Sequence, residues 1–204
     1  MSDTKEKILK TALKMFAEKG YEAVSVSEIS GELGITKGAL YRHYKNKRDI
    51  FDSIVKRMFA IDEENSKKHS VPEKKYDDAP GSYEGISFEN LKEFTVSQFR
   101  FWTEDEFASD FRKMLMLEQY RNPEIAELYR NCLTTGPVSY TEDIFRRMTE
   151  NGTMKPGDPK RLAVEFYAPM FLLINMTDGT SEKAEAENLL KRHIEQFIKE
   201  KGKE

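Results

Sequence analysis

Residues that mark several classes of protein are rare or absent in this sequence. Its 204 residues include one cysteine, Cys132, so no disulfide can form within the chain, and this fits a reducing compartment. The three histidines are scattered, and none stands at metal-ligand spacing from another histidine or from the cysteine. There is no Gly-rich phosphate loop and no nucleophile elbow. We therefore expect no metal, no cofactor and no catalytic residue, and an enzyme is the least supported class.

Long apolar segments are also missing. The longest apolar run, Phe166 to Ile174, is too short to span a membrane and is interrupted by Pro169. The N-terminal segment MSDTKEKILKTALK is polar and leads into an amphipathic pattern, unlike a signal peptide. We therefore expect a cytoplasmic protein with no membrane partner.

The residues that are abundant favour helices. Glu, Lys, Ala, Leu and Met are common, Val and Thr are sparse, and 34% of the chain is charged. Every segment from Phe88 onward has helical periodicity, and no β-α-β alternation or internal repeat is present. The sequence predicts an all-α protein with about nine helices in a bundle.

The first fifty residues predict a compact set of short helices. An apolar stripe over residues 4–19 ends at Gly20, and the segment SVSE, Ser25 to Glu28, has the capping-box pattern that opens a second helix. Gly34 ends that helix after barely two turns. A third helix is predicted from about Lys37 to His43, and a fourth begins near Asn46 or Lys47. Two short helices joined by a turn that contains glycine form a helix-turn-helix pattern.

Charge is unevenly distributed along the chain. Residues 1–50 hold 10 Lys and Arg against 7 Asp and Glu, whereas the remaining 154 residues hold 23 against 29. Five basic residues and no acidic one lie between Lys37 and Arg48. A phosphate-bearing partner explains this segment. A solvated, positively charged helix is the alternative.

The segment FAEKGYEAVSVSEISGELGITKGALYRHYKNKRDIF, Phe16 to Phe51, resembles the DNA-binding domain of tetracycline-repressor (TetR) family regulators. The similar elements are F-x-x-K-G-Y, S-V-x-x-I and G-I-T-K-G-x-L-Y-x-H-Y-K-N-K, and together they cover about the first quarter of the chain. Ala39 departs from the family, whose members often carry threonine there. The resemblance implies a homodimer, formed through the last two helices, on a palindromic operator in double-stranded DNA.

The resemblance also implies DNA-contacting positions. They are Ser25, Ser27, Thr36, Lys37, Gly38, Tyr41, His43, Tyr44 and Lys47. The two serines and the two tyrosines are expected to bind phosphates, the segment TKG is expected to enter the major groove, and the lysine of the fourth helix is expected to hold the far strand. Two alternatives stay open: Tyr44 as a core residue and His43 as a packing residue.

The C-terminal part has more large apolar residues than one buried stripe needs, so a second subunit or an apolar guest is expected to cover some of them. Candidates for lining an effector site are Phe101, Trp102, Phe111, Met114, Tyr120, Phe166 and Met170, although each is also explained as core. Pro169 is expected to kink its helix. The polar stretch Ser66 to Ser87 is expected to be a loop or a partly disordered segment.

We predict a DNA-binding domain over residues 1–48 and an effector-binding and dimerisation domain over residues 49–204. The leading hypothesis is a ligand-responsive transcriptional regulator, most simply a repressor, that a small apolar or aromatic effector releases from DNA. The alternative is a DNA-binding dimer without an effector, in which the helical body only dimerises or docks another protein.

Overall fold

The computed structural model describes residues 3–72 and 78–203. Over these ranges the chain forms ten α-helices and one short 3-10 helix, Pro80–Tyr83. The α-helices are α1 (Asp3–Lys19), α2 (Val26–Glu32), α3 (Lys37–Tyr41), α4 (Lys47–Lys68), α5 (Phe88–Glu104), α6 (Glu106–Glu118), α7 (Pro123–Leu133), α8 (Thr135–Glu150), α9 (Pro159–Met176) and α10 (Lys183–Lys201). An isolated bridge between Met154 and Gly202 is the only β pairing in the described ranges. The predicted all-α class is confirmed.

The predicted capping box is present at the start of α2. The Glu28 backbone N–H donates to Ser25 Oγ at 3.2 Å, and the Ser25 backbone N–H donates to Glu28 Oε2 at 2.8 Å. These bonds satisfy backbone donors that the first turn of a helix leaves without partners. Thr36 caps α3 in the same way, because its Oγ1 accepts from the Ala39 N–H at 3.1 Å. The sequence therefore determines where both short helices begin.

The chain divides into two compact units, each described here by itself. One unit comprises Met1–Ile61 and Asp105–Tyr129, and in it α1 packs against α6 and α2. Its core combines aliphatic side chains with several aromatic rings, and the side chains with at most 1% exposure include Ile8, Leu9, Leu13, Phe16, Ile29, Leu40, Tyr44, Ile50, Ile54 and Phe111. This burial fixes the two short helices on α1 and α4.

The other unit comprises Asp62–Glu104 and Arg130–Glu204. In it α9 packs against α8 and α10, and α10 packs against α5. Three phenylalanine rings meet in its core: Phe166 lies 5.4 Å from Phe145 and 5.1 Å from Phe197, and Phe145 stacks on Phe197 at 5.3 Å, measured between ring centroids. The proposed boundary near residue 48 remains a prediction.

Several local expectations need correction. Helix α3 ends at Tyr41, two residues earlier than predicted. Helix α9 contains Pro169 and continues to Met176, and the expected kink at this proline remains a prediction. Helix α4 continues to Lys68, so the start of the expected Ser66 to Ser87 loop is helical. Val71, Tyr83 and Ile86 of this stretch are buried, so these residues pack against the protein and are not part of a loose surface loop. Residues 73–77 lie outside the described residues. No helix in the described ranges is both long and apolar enough to cross a bilayer.

Candidate nucleic-acid interface and effector site

The turn between α2 and α3 is held by backbone hydrogen bonds. The Gly34 N–H donates to Gly31 O at 3.0 Å, and the Ile35 N–H donates to Ser30 O at 3.0 Å. Gly34 adopts a positive φ of 63°, which glycine reaches without steric cost. Leu40 is fully buried beneath the helix. As a result α3 is a short helix with a fixed position, and its outer face is free of the protein core.

Six of the nine predicted DNA-contacting residues are exposed, and we call this set the α3 surface. It consists of Ser25, Ser27, Thr36, Lys37, Gly38 and Tyr41, and all six are exposed. His43 and Lys47 are half-buried at its edge. Lys37, Arg42 and Lys45 are exposed, and no carboxylate of the described residues lies within 4.0 Å of their side-chain nitrogens. The arrangement presents free positive charge and hydroxyl groups together, which suits binding to phosphates.

Gly38 has no role in packing that would require glycine. A β-carbon built at this position would have Thr36 Oγ1, at 3.8 Å, as its nearest neighbour, which is ordinary van der Waals contact. Glycine also weakens a helix relative to alanine. The protein itself therefore does not explain this residue. A partner that approaches the backbone of α3 closely does explain it.

Tyr44 is buried, unlike the other predicted contacts. It is 1% exposed, its hydroxyl donates to Lys5 O at 3.3 Å, and the Lys5 amine lies 5.2 Å from the centre of its ring. Burial raises the pKa of Tyr44 to about 12. These contacts favour the alternative in which Tyr44 is a core residue that ties the end of α3 to α1.

Two of the five basic residues between Lys37 and Arg48 already have partners in the protein. The Lys47 amine donates to Tyr21 O at 2.9 Å and to Glu22 O at 3.3 Å, and it lies 4.4 Å from the centre of the Tyr21 ring. The Arg48 guanidinium forms ion pairs with the carboxylates of Asp52 and Glu124. Lys47 therefore stabilises the turn that follows α1, and a phosphate contact would have to compete with these bonds.

The candidate effector-lining residues do not all lie together. Phe111 and Met114, on α6, are buried in the unit that contains α1 to α3. Tyr120 follows the end of α6 and is 89% exposed, so it lines no enclosed site. The other unit holds Phe101, Trp102, Phe166 and Met170, of which Phe101 is half-buried and the other three are buried. The ring of Phe101 lies 5.4 Å from that of Trp102.

One polar residue, Asp62 of the unit formed by Asp62–Glu104 and Arg130–Glu204, was not singled out in the sequence analysis. Asp62 lies on α4 four and eight residues after the buried Met58 and Ile54, so it continues their stripe. The side-chain amide of Gln98 on α5 donates to Asp62 Oδ1 at 3.0 Å. A carboxylate on an apolar helical stripe is a signal that the sequence offered. In the ranges described, no group of three His, Cys, Asp or Glu residues is placed to hold a metal ion.

The fold and the α3 surface define a class of protein. The two short helices α2 and α3, with the fixed turn between them, pack on the longer α1 and form a helix-turn-helix unit. In proteins of this class the second short helix, here α3, is the element that enters the major groove. The family model "Bacterial regulatory proteins, tetR family" matches residues 8–54, which include all of this unit. The helix-turn-helix unit of this chain is therefore that of the tetR family.

Known proteins share this organisation. YerO of Bacillus subtilis (strain 168), an HTH-type transcriptional regulator, is 30% identical over 165 residues, which are 77% of this chain and 54% of YerO. The chain thus spans about half the length of that relative. Among solved structures, the SmeT–triclosan complex has a TM-score of 0.67 at 22% identity and covers 98% of this chain and 92% of SmeT, the efflux-pump repressor of Stenotrophomonas maltophilia. KstR2 of Mycobacterium tuberculosis, a ketosteroid transcriptional regulator, has a TM-score of 0.70 at 16% identity, covering 100% and 97%. These two structures show the shared fold.

Proposed function

We propose that this protein is a transcriptional repressor that binds a palindromic operator as a homodimer and is released by a small apolar or aromatic effector. The observation that carries the proposal is the α3 surface, which combines a rigid, capped helix with unpaired basic side chains. Within it, Lys37 and Tyr41 supply exposed donors, and Gly38 lets the backbone approach base edges.

Exposed apolar residues on the last two helices support dimerisation. Val164, Leu172 and Met176 of α9 are 48%, 59% and 57% exposed, and Leu189 of α10 is 40% exposed. The three α9 positions are eight and four residues apart, which places them on one face. A second copy of the chain can cover this face in a twofold interface. A twofold dimer carries two α3 surfaces, and these match the two halves of a palindrome.

The aromatic content of the C-terminal unit supports an effector. SmeT, whose fold this chain shares, was solved in complex with triclosan, a small molecule. We propose that Phe101, Trp102, Phe166 and Met170 line the effector site, because all four lie in the same unit and are buried or half-buried. An effector releases DNA only if it binds the conformation with low DNA affinity more tightly than the other one. The relatives are named as regulators, in agreement with the expectation that the chain is not an enzyme.

The test compares two double variants of matched composition. Lys37→Ala with Tyr41→Ala removes an exposed lysine and tyrosine from the α3 surface, whereas Lys160→Ala with Tyr120→Ala removes the same residue types from exposed positions elsewhere. Fluorescence anisotropy measures binding to an inverted repeat from upstream of the gene and to shuffled DNA. We expect the first variant to lose at least about tenfold in affinity and the second to match the parent. Equal binding by both variants, or no preference of the parent for the repeat, overturns the proposal.

A further inference from the structure

Arg42 carries a free guanidinium at the end of α3. Residues 1–61 contain three arginines, and two of them, Arg48 and Arg57, form ion pairs with acidic residues of the protein. Arg42 is exposed, and its side chain has no hydrogen-bond or ion-pair partner in the part of the chain that the structure describes. Its charge and its donors are therefore available to a partner outside the protein.

Arg42 lies on the side of α3 that is turned away from the core. It directly follows the last residue of the helix and has helical dihedral angles, φ −68° and ψ −22°, so the geometry of α3 extends to it. Successive residues of a helix are rotated by about 100°, so Gly38 and Arg42, one turn apart, each lie about 160° from the fully buried Leu40. Both residues are exposed, in agreement with this direction. We call these two positions the outer face of α3.

Lys37 and Tyr41 lie to one side of the outer face. By the same rotation they are about 60° and about 100° from Leu40, and so closer to the core side of the helix. A helix in the major groove turns its outermost positions toward the base edges and its flanks toward the sugar–phosphate walls. Lys37 and Tyr41 therefore suit contacts with phosphates. The long side chain on the outer face is that of Arg42.

A guanidinium in this position matches one base in particular. Guanine presents two acceptors, O6 and N7, at its major-groove edge, and the planar fork of an arginine can donate to both at once. The space around Gly38 favours such a contact. A β-carbon built at Gly38 would have Thr36 Oγ1, at 3.8 Å, as its nearest neighbour, so the protein does not crowd the outer face. Because Gly38 has no side chain, the backbone of α3 can come close enough to the bases for Arg42 to reach them.

We propose that Arg42 recognises a guanine in each half of the operator, donating from its guanidinium to O6 and N7. The inference rests on the proposed function and deepens it, because it names a base that the operator contains and the residue that selects it. Lys45 is also exposed and without a partner among the described residues, but it lies outside the helix, in the connection to α4. Its ammonium group contributes affinity for phosphates and no preference for a sequence. Arg42 also brings its charge between the two strands, so it displaces condensed ions as Lys45 does.

The experiment removes one acceptor atom from the DNA and one donor group from the protein. Each guanine in turn is replaced by 7-deazaguanine at the same place in both halves of the inverted repeat, which deletes N7 and keeps base pairing. Fluorescence anisotropy measures the affinity of the parent, of Arg42→Ala and of Lys45→Ala for each duplex. We expect one position at which the substitution weakens binding by the parent about tenfold. At that position Arg42→Ala should lose less than about twofold, because its contact with the base is already absent.

Lys45→Ala is the matched control, since it removes one exposed positive charge from the same segment. It should bind every duplex more weakly than the parent does, but it should keep the parent's loss of affinity at the sensitive position. Urea unfolding of both variants should give the midpoint of the parent, because neither side chain has a partner in the described residues.

Three results overturn the inference: no position at which 7-deazaguanine weakens binding by the parent, a loss at that position that persists in Arg42→Ala, or a loss that Lys45→Ala abolishes. In all three the parent still prefers the inverted repeat to shuffled DNA, so the proposed function stands and only this inference falls. A parent that shows no such preference refutes the proposed function, and this inference with it.

Discussion

Arg48 and Glu124 form a two-pronged ion pair between the first turns of α4 and α7. Arg48 Nη1 donates to Glu124 Oε2 at 2.6 Å, and Arg48 Nη2 donates to Glu124 Oε1 at 2.5 Å. Arg48 Nε also donates to Asp52 Oδ1 at 2.7 Å. The guanidinium lowers the pKa of Glu124, and the two carboxylates raise the pKa of Arg48. The charge of Arg48 is therefore used in ion pairs within the protein.

Replacing Glu124 by glutamine should lower the free energy of unfolding by at most about 1 kcal/mol at pH 7, because about half of each side chain is exposed to solvent. The folded pKa of Glu124 is depressed, so its contribution is present above the ordinary glutamate pKa and is lost as pH falls through the folded value. Urea unfolding at pH 7 and in acid measures this. Glu127→Gln, an exposed glutamate without a partner in the described chain, is the control. A difference between the two variants that persists in strong acid contradicts the prediction.

Gly38→Ala should separate folding from DNA binding. The variant has room for the added methyl group and gains helix propensity, so we expect its free energy of unfolding to stay the same or to rise by up to about 1 kcal/mol. Affinity for the operator should fall about tenfold, because the methyl group holds the backbone away from the groove. Gly31→Ala on α2 has the same open surroundings and is the control. Anisotropy and urea unfolding give the two readouts, and unchanged operator affinity in Gly38→Ala would show that DNA does not approach this backbone.

Gly20→Ala should be severely destabilising. Gly20 has a φ of 88°, and a β-carbon there would lie 2.2 Å from Glu118 Oε1, which is itself on a buried side chain. Gly152 has nearly the same φ, 84°, but nothing within 4 Å of its β-carbon position. Gly152→Ala therefore reports the backbone strain alone, about 1–2 kcal/mol, and Gly20→Ala should lose at least about 1 kcal/mol more. Equal urea midpoints for the two variants would rule out the steric contribution.

Tyr41→Phe should weaken operator binding, whereas Tyr44→Phe should lower stability. Tyr44→Phe removes the hydrogen bond to Lys5 O and is expected to cost about 1 kcal/mol of stability while operator affinity is unchanged. Tyr41 is half exposed, and its loss of a hydroxyl should leave stability unchanged and weaken the operator complex about threefold. Urea unfolding and anisotropy distinguish the two residues. Weaker DNA binding by Tyr44→Phe would restore Tyr44 to the phosphate contacts that the sequence suggested.

Features set by neighbours in the sequence were predictable. The capping box at Ser25 and Glu28, the cap at Thr36 and the turn at Gly34 each depend on residues within four positions. The starts of α2 and α3, the all-α class and the exposed positions of α3 follow from these local rules together with apolar periodicity.

Features that depend on distant partners were not predictable. The carbonyl that holds Tyr44 belongs to Lys5, 39 positions away, and the partner of Arg48 is 76 positions away. Its aromatic ring makes Tyr120 a candidate for lining an effector site, but α6 ends at Glu118, before Tyr120, and leaves it in solvent. No periodicity rule shows which of two apolar helices will face a cavity, a core or a second subunit.

The partners of Lys47 and Arg48 also limit how steeply salt should weaken the operator complex. Three cations of the segment, Lys37, Arg42 and Lys45, have no partner among the described residues and can displace ions condensed on DNA, so the proposed dimer would bring six from its two segments. Counterion release then gives a slope of about −5 for the logarithm of the association constant against the logarithm of salt concentration. If all five basic residues of each segment were free, the slope would be about −9. The internal partners of Lys47 and Arg48 therefore make the contribution of this segment to the salt dependence smaller than its number of charges suggests.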